Sequence, residues 1–264
     1  MKPRAAIQFL SVMVTLLFWL SSAQAQTVDD IIKKGKVVIG VQVGSPPFDT
    51  VDEKGNHVGY NFDVANLLGK YLGVKVEIVE LAVPARIAAL TSGKVDMLVA
   101  LMGLRPEWAK AVMYTQPYCS FDHVIWAAKS ADIKSLDDLK GKKVSLPRGS
   151  TQEGILSAMK IPELTISRFD DDASAAQALL SGQVDASADP DAMVKEFMKR
   201  IPEGKFEIKF QFASIPCSMT VRKDAFELHQ WLNTTIAWMK VNGELDRIHM
   251  KWFGKPLAKD LPVF

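Results

Sequence analysis

Two helix-to-strand junctions each occur twice in this chain, in the same order, and that recurrence restricts the folds open to it. Lys34-Gly-Lys-Val-Val38 returns as Lys140-Gly-Lys-Lys-Val144, and Ala89-Leu-Thr-Ser-Gly-Lys-Val-Asp96 returns as Ala178-Leu-Leu-Ser-Gly-Gln-Val-Asp185. Each pair marks one local event: a glycine takes the positive φ that closes a helix, and an apolar run then enters a sheet. Single junctions of this kind recur by chance in α/β chains. Two different ones repeated in order read as two α/β lobes of similar build, although the separations differ. A length of 264 residues accommodates two domains of ordinary size.

The intervening residues carry the same grammar. Thr27 to Asp30 resembles a capping box, a helix runs to Lys34, and Lys36 to Val43 reads as a buried strand. Tyr60 to Leu72 has helical apolar spacing, Val74 to Val79 reads as a strand, and Pro84 opens a helix ending at Gly93, with a strand from Val95 to Leu101 behind it. The chain then crosses near Cys119 to Val124 and returns near Ser214 to Val221. Its C-terminal helices, Phe226 to Asn242 and Glu244 to Trp252, thereby fall back onto the first lobe. Two crossings make a hinge, with a ligand held in the cleft between the lobes.

Charge and leader composition exclude some functions. The chain has 32 Lys and Arg against 30 Asp and Glu, and the excess lies at Lys2 and Arg4. Without its first 25 residues the chain is neutral, so it lacks the positive field that a nucleic-acid backbone requires. That basic start is followed by the apolar run Leu10 to Leu20 and by Ala23-Gln-Ala25, the pattern of a cleaved secretory signal. The apolar run is shorter than the roughly 20 residues of a membrane-spanning helix, which weighs against an uncleaved anchor. Residues 1–25 are therefore expected to be a signal peptide and the mature chain to be periplasmic. Cys119 and Cys217 are the only cysteines. In an oxidising compartment they permit one disulfide, and two separate buried thiols fit the count equally. The four histidines, His57, His123, His229 and His249, have no metal-ligand spacing, so neither a metal nor a cofactor is expected.

An ordered series of segments resembles one known family. Val38-Ile-Gly-Val-Gln42, Pro46-Pro-Phe48, Gly59-Tyr-Asn-Phe-Asp-Val64, Arg105-Pro-Glu-Trp108, Gln116-Pro-Tyr118, Gly149-Ser-Thr151 and Lys251-Trp-Phe-Gly254 are similar to the extracytoplasmic solute-binding proteins of family 3, the polar amino acid ABC transporter group. The resemblance implies a type II periplasmic binding protein fold in the α/β class. Its two hinge strands join lobe 1 (residues 26–119 plus 216–264) to lobe 2 (residues 120–215). It also implies a monomer that closes on one small ligand and presents it to a membrane permease.

Capturing a carboxylate and an ammonium stripped of water calls for bidentate Arg, helix N-terminal N–H groups and a carboxylate. Ser150 and Thr151, between a strand and a helix, fit the second of these tools, though they would also serve as a simple N-cap. The resemblance implies further cleft contacts from Gln42, Phe48, Arg86, Met102, Gly103, Arg105, Trp108, Arg148 and Asp189. Two departures stand out. The family has Thr or Ser at position 105 and Arg at 108, where this chain has Arg105 and Trp108, and Ser45 stands where many members have an aromatic residue. Asp189 and Asp191 compete for the ammonium-binding role. With Arg86, Arg105 and Arg148 as three cleft cations against one or two acids, the expected guest is an acidic amino acid or a related carboxylate. A periplasmic dehydratase of cyclic acids on the same scaffold, or a ligand-sensing module, is the alternative, but no nucleophile, base or paired-carboxylate spacing marks an enzyme.

Overall fold

The computed structural model describes residues 27–261, so the expected signal peptide lies outside the described residues. Helix α1 (Val28–Lys34) begins at the capping box: the Thr27 hydroxyl accepts from the Asp30 N–H, and the Asp30 carboxylate accepts from the Thr27 N–H, both at 3.1 Å. Gly35, at φ 65°, ends it and releases strand β1 (Lys36–Gln42). A short hairpin follows, β2 (Thr50–Val51) and β3 (His57–Val58), and then α2 (Tyr60–Leu72), β4 (Lys75–Leu81), α3 (Arg86–Thr91) and β5 (Met97–Gly103). The helix expected from Pro84 begins as a tight turn over Val83–Ala85, because Pro occupies a first-turn position whose N–H is not needed.

After α4 (Pro106–Ala109) comes β6 (Val112–Ala128). The second half continues with β7 (Lys143–Pro147), α5 (Thr151–Met159), β8 (Thr165–Phe169), α6 (Asp172–Leu180), β9 (Ala186–Pro190) and α7 (Asp191–Met198). Strand β10 (Phe206–Arg222) then returns the chain to α8 (Phe226–Val241) and α9 (Glu244–Phe253). The two crossings are longer than the sequence suggests, each being the middle of a 17-residue strand.

Eight of these strands form one sheet in the order β4-β1-β5-β10-β6-β9-β7-β8, and β2 pairs with β3 separately. The order is symmetric about its centre. β1 lies parallel to β4 and β5, β7 lies parallel to β8 and β9, and antiparallel β6 and β10 run through both halves. The repeated junctions fill equivalent places. Gly35 and Gly141 have φ of 65° and 69°, and Gly93 and Gly182 have 75° and 74°. The acid closing each longer repeat does one job twice: Asp96 accepts from the Val38 N–H and Asp185 from the Lys143 N–H, each at 2.7 Å. Separate apolar layers pack under α3 (Leu90, Leu98, Met102) and under α5 (Val144, Leu146, Leu156).

Cys119 and Cys217 face each other across β6 and β10 and are joined by a disulfide, with Cα atoms 5.2 Å apart and a sequence separation of 98. The bond closes a long loop in the unfolded chain, so the Cys119→Ser/Cys217→Ser double variant is expected to lose about 2–4 kcal/mol of unfolding free energy. Urea denaturation measures this; equal midpoints and slopes for variant and wild type would refute it.

Candidate functional site

Each half of the sheet presents loop and helix starts to the other, and polar side chains at those starts meet across the gap. Gln42 closes β1, Arg86 opens α3 and Leu101 lies near the end of β5. Opposite them, Ser150 caps α5, Thr151 and Gln152 form its first turn, and Asp172 opens α6. His123 of β6, Pro190 of β9 and Met193 of α7 complete the walls. These groups enclose about 10 Å³, room for about one water molecule.

Hydrogen bonds from one half to the other hold the arrangement. Gln42 Nε2 donates to Asp172 Oδ2 at 2.6 Å, while Gln42 Oε1 accepts from Arg86 Nη1 at 2.6 Å. Arg86 also donates to the carbonyls of Val83 (3.0 Å), Ala100 (2.6 Å) and Gly149 (3.2 Å), the last of these across the cleft. Arg105 Nη1 reaches the Ser150 carbonyl at 3.2 Å, and the Val83 N–H donates to the Asp170 carbonyl at 3.1 Å. Trp108 lies beneath both cations, its ring centre 4.5 Å from the Arg105 guanidinium carbon and 6.0 Å from that of Arg86. Burial lowers the Arg86 pKa to about 10, which leaves it cationic at neutral pH.

Two buried acids oppose these cations. Burial, reinforced by the neighbouring Asp189, pushes the Asp172 carboxyl well above the ordinary carboxylate range. Burial raises Asp189 to about 6, against hydrogen bonds donated to its Oδ2 by Trp126 Nε1 (2.7 Å) and Ser187 Oγ (2.5 Å). Asp189 Oδ1, Thr151 Oγ1 and both ring nitrogens of His123 have no hydrogen-bond partner among the described residues. Leu101 holds φ 56°, a conformation that costs a side-chain-bearing residue about 1–2 kcal/mol.

Of the residues expected from sequence, Gln42, Arg86, Ser150 and Thr151 line the cavity. Gly103 borders it, since a Cβ there would lie 2.6 Å from Thr151 Oγ1. Arg105 and Trp108 stand at its edge, and Asp189 lies outside its lining, where its charge acts on Asp172. Three expected residues stand away from this cavity. Arg148 is exposed at the end of β7 and does not line the cavity. Phe48 is buried against Tyr60, Phe121 and Phe253 in the core. Met102 points into the apolar layer under α3, because alternation along β5 turns Leu101 to the cleft instead. Leu101, Phe121, His123, Asp172, Pro190 and Met193 also line the cavity and are not expected from the sequence. Only Asp172 carried a signal, as the last of the run Asp170-Asp171-Asp172 in which Asp171 caps α6 through the Ser174 N–H at 2.7 Å.

Comparison with known proteins matches residues 37–255 to the model of the bacterial extracellular solute-binding proteins, family 3. The putative ABC transporter arginine-binding protein 2 of Escherichia coli (strain K12) is 28% identical over 242 residues, covering 90% of this chain and 95% of that protein. The L-cystine-binding protein TcyJ of the same organism is 25% identical over 241 residues, covering 90% of each. An ancestral arginine-binding protein solved with arginine bound is 37% identical, with a TM-score of 0.80, over 83% of this chain and 99% of that one.

The buried acids give the folded chain a distinctive response to pH. Asp189 binds its proton more tightly when folded, with a pKa of about 6 against an ordinary 3.8. The stability this contributes is complete below pH 3.8 and is lost as pH rises through 6. Asp172 acts in the same direction. Between pH 4.5 and 6.5 the wild type is expected to lose about 2 kcal/mol more unfolding free energy than Asp189→Asn. Urea titrations at both pH values measure the difference, and parallel behaviour of the two proteins would count against a raised Asp189.

Proposed function

The chain belongs to family 3 of the bacterial extracellular solute-binding proteins, and from that premise we propose that it is the periplasmic binding component of an ABC importer for an amino acid, carried as a zwitterion. Lobe 1 (residues 26–119 plus 216–264) and lobe 2 (residues 120–215) part about the paired crossings, admit the guest, close over it and present the closed form to the membrane permease.

The observation that carries this reading is the charge arrangement of the cleft. Arg148 faces solvent, so the cleft cations number two, Arg86 and Arg105, against the two buried acids Asp172 and Asp189. An acidic guest would add negative charge where two carboxyls already resist ionising, whereas an ammonium beside them compensates both. The guest's carboxylate is served by the Arg86 and Arg105 guanidiniums and by Thr151 Oγ1 in the first turn of α5. This arrangement favours a zwitterion over a carboxylate lacking the amine. The relatives named for arginine and cystine are consistent with it, both guests being α-amino acids.

Calorimetric titration with arginine, histidine, cystine, glutamine, glutamate and aspartate tests the proposal. At least one α-amino acid is expected to bind, and its N-acetylated counterpart is expected to bind at least about 100-fold more weakly, because a buried acid then loses its partner. Equal affinity for the acetylated form would overturn the zwitterion reading.

A further inference from the structure

His123 sits at the centre of β6, opposite Pro190 of β9 on one side and Ala213 of β10 on the other, and its ring is 1% exposed. It lines the cleft, and neither ring nitrogen has a hydrogen-bond partner among the described residues. A buried imidazole of this kind forfeits bonds to water on both nitrogens, so a second polar group normally accounts for it. Its neighbours on the chain side do not: Phe121 meets the ring edge-on at 5.1 Å, Phe212 lies at 5.9 Å, and Leu101, Pro190 and Met193 line the adjoining wall. Burial pushes the ring's pKa down to about 3, so it is neutral and offers one donor and one acceptor.

Resting on the amino-acid reading above, we propose that His123 determines specificity by holding the guest's side chain, and that this side chain carries a small neutral group able both to donate and to accept, a carboxamide or a hydroxyl. An anionic side chain is poorly matched here, because Asp191 already acts on the neutral ring with negative charge, and a cationic one offers no acceptor for the ring N–H. The acids of the cleft are engaged by the guest's ammonium. An apolar side chain would bury against both nitrogens and leave them unpaired. Rejecting an analogue that lacks the hydrogen-bonding group is the stronger form of discrimination available to a closed site.

The test uses the full mature chain and pairs of isosteric amino acids: asparagine with leucine, and threonine with valine. In the wild type the polar member of at least one pair is expected to bind about tenfold or more tightly. His123→Leu is expected to shrink that ratio to within about threefold while amino acids still bind, and His123→Asn to restore part of it. Amino-acid binding without polar preference in the wild type, or an unchanged ratio in His123→Leu, overturns the role of His123 and leaves the amino-acid reading standing. Failure of every amino acid to bind overturns that reading and this one with it. Because the isostere comparison is made first in the wild type, it does not depend on either variant folding.

Discussion

Everything in this molecule depends on the pairing of β6 with β10. Each is a 17-residue strand shared by both halves, so one antiparallel ladder serves as the structural centre of the sheet and as the connection between lobes. The ladder is irregular where the chain crosses, with register shifts on either side of Ser218, close to Pro117 on the neighbouring strand. Proline removes a ladder donor and bulges increase local twist, so the pairing is weakest against bending at the point where the halves meet. The Cys119–Cys217 bond lies beside those shifts. It holds the strands in register there, so that bending need not become slippage.

The two halves of the sheet repeat one construction, and the cleft inherits its chemistry from that repetition. Arg86 and Asp172 are the first residues of α3 and α6, the helices that precede the equivalent strands β5 and β9. A carboxylate at a helix start is favoured by the helix dipole, and a guanidinium there is not. Arg86 is retained in that position by four carbonyl or amide acceptors, one of them, Gln42, bonded in turn to Asp172. The pseudo-symmetric positions thus carry opposite charges, joined through one side chain.

Much of this is legible in the amino-acid sequence. The junction repeats mark structurally equivalent turns because Asp96 and Asp185 each bond the backbone of the other junction's strand in their own half, so both motifs are constrained together. Arg86 is legible only through the family resemblance, and the Ser150–Thr151 turn through hydroxyls and N–H groups at a helix start that suit an anion, a signal shared with an ordinary N-cap. Met102 stands away from the cavity for a simple reason: family position says which segment borders the cleft, and the two-residue alternation of β5 decides which side chain enters it. Leu101 carries no sequence mark, since its positive φ occurs at a residue type that seldom adopts one. His123 was indistinguishable from a packing histidine until its neighbours were known, because burial without a partner is a property of the assembled cleft alone.

Those partnerless atoms bear on how the cleft works. Four hydrogen bonds join the halves across the gap: Gln42 to Asp172, Arg86 to the Gly149 carbonyl, Arg105 to the Ser150 carbonyl, and the Val83 N–H to the Asp170 carbonyl. At about 1 kcal/mol net each they favour closure by roughly 4 kcal/mol. In the closure proposed above, water is also stripped from the cavity-lining nitrogens of His123 and hydroxyl of Thr151, at about 1–3 kcal/mol for each unpaired atom. The two contributions are of similar size and opposite sign, so the chain's own groups leave opening and closing near balance. On that proposal, a guest whose polar atoms pair with the stripped atoms removes the opposing contribution, and the differential affinity that shifts the population arises there. The same atoms that make closure costly for the chain alone therefore make it responsive to the right guest.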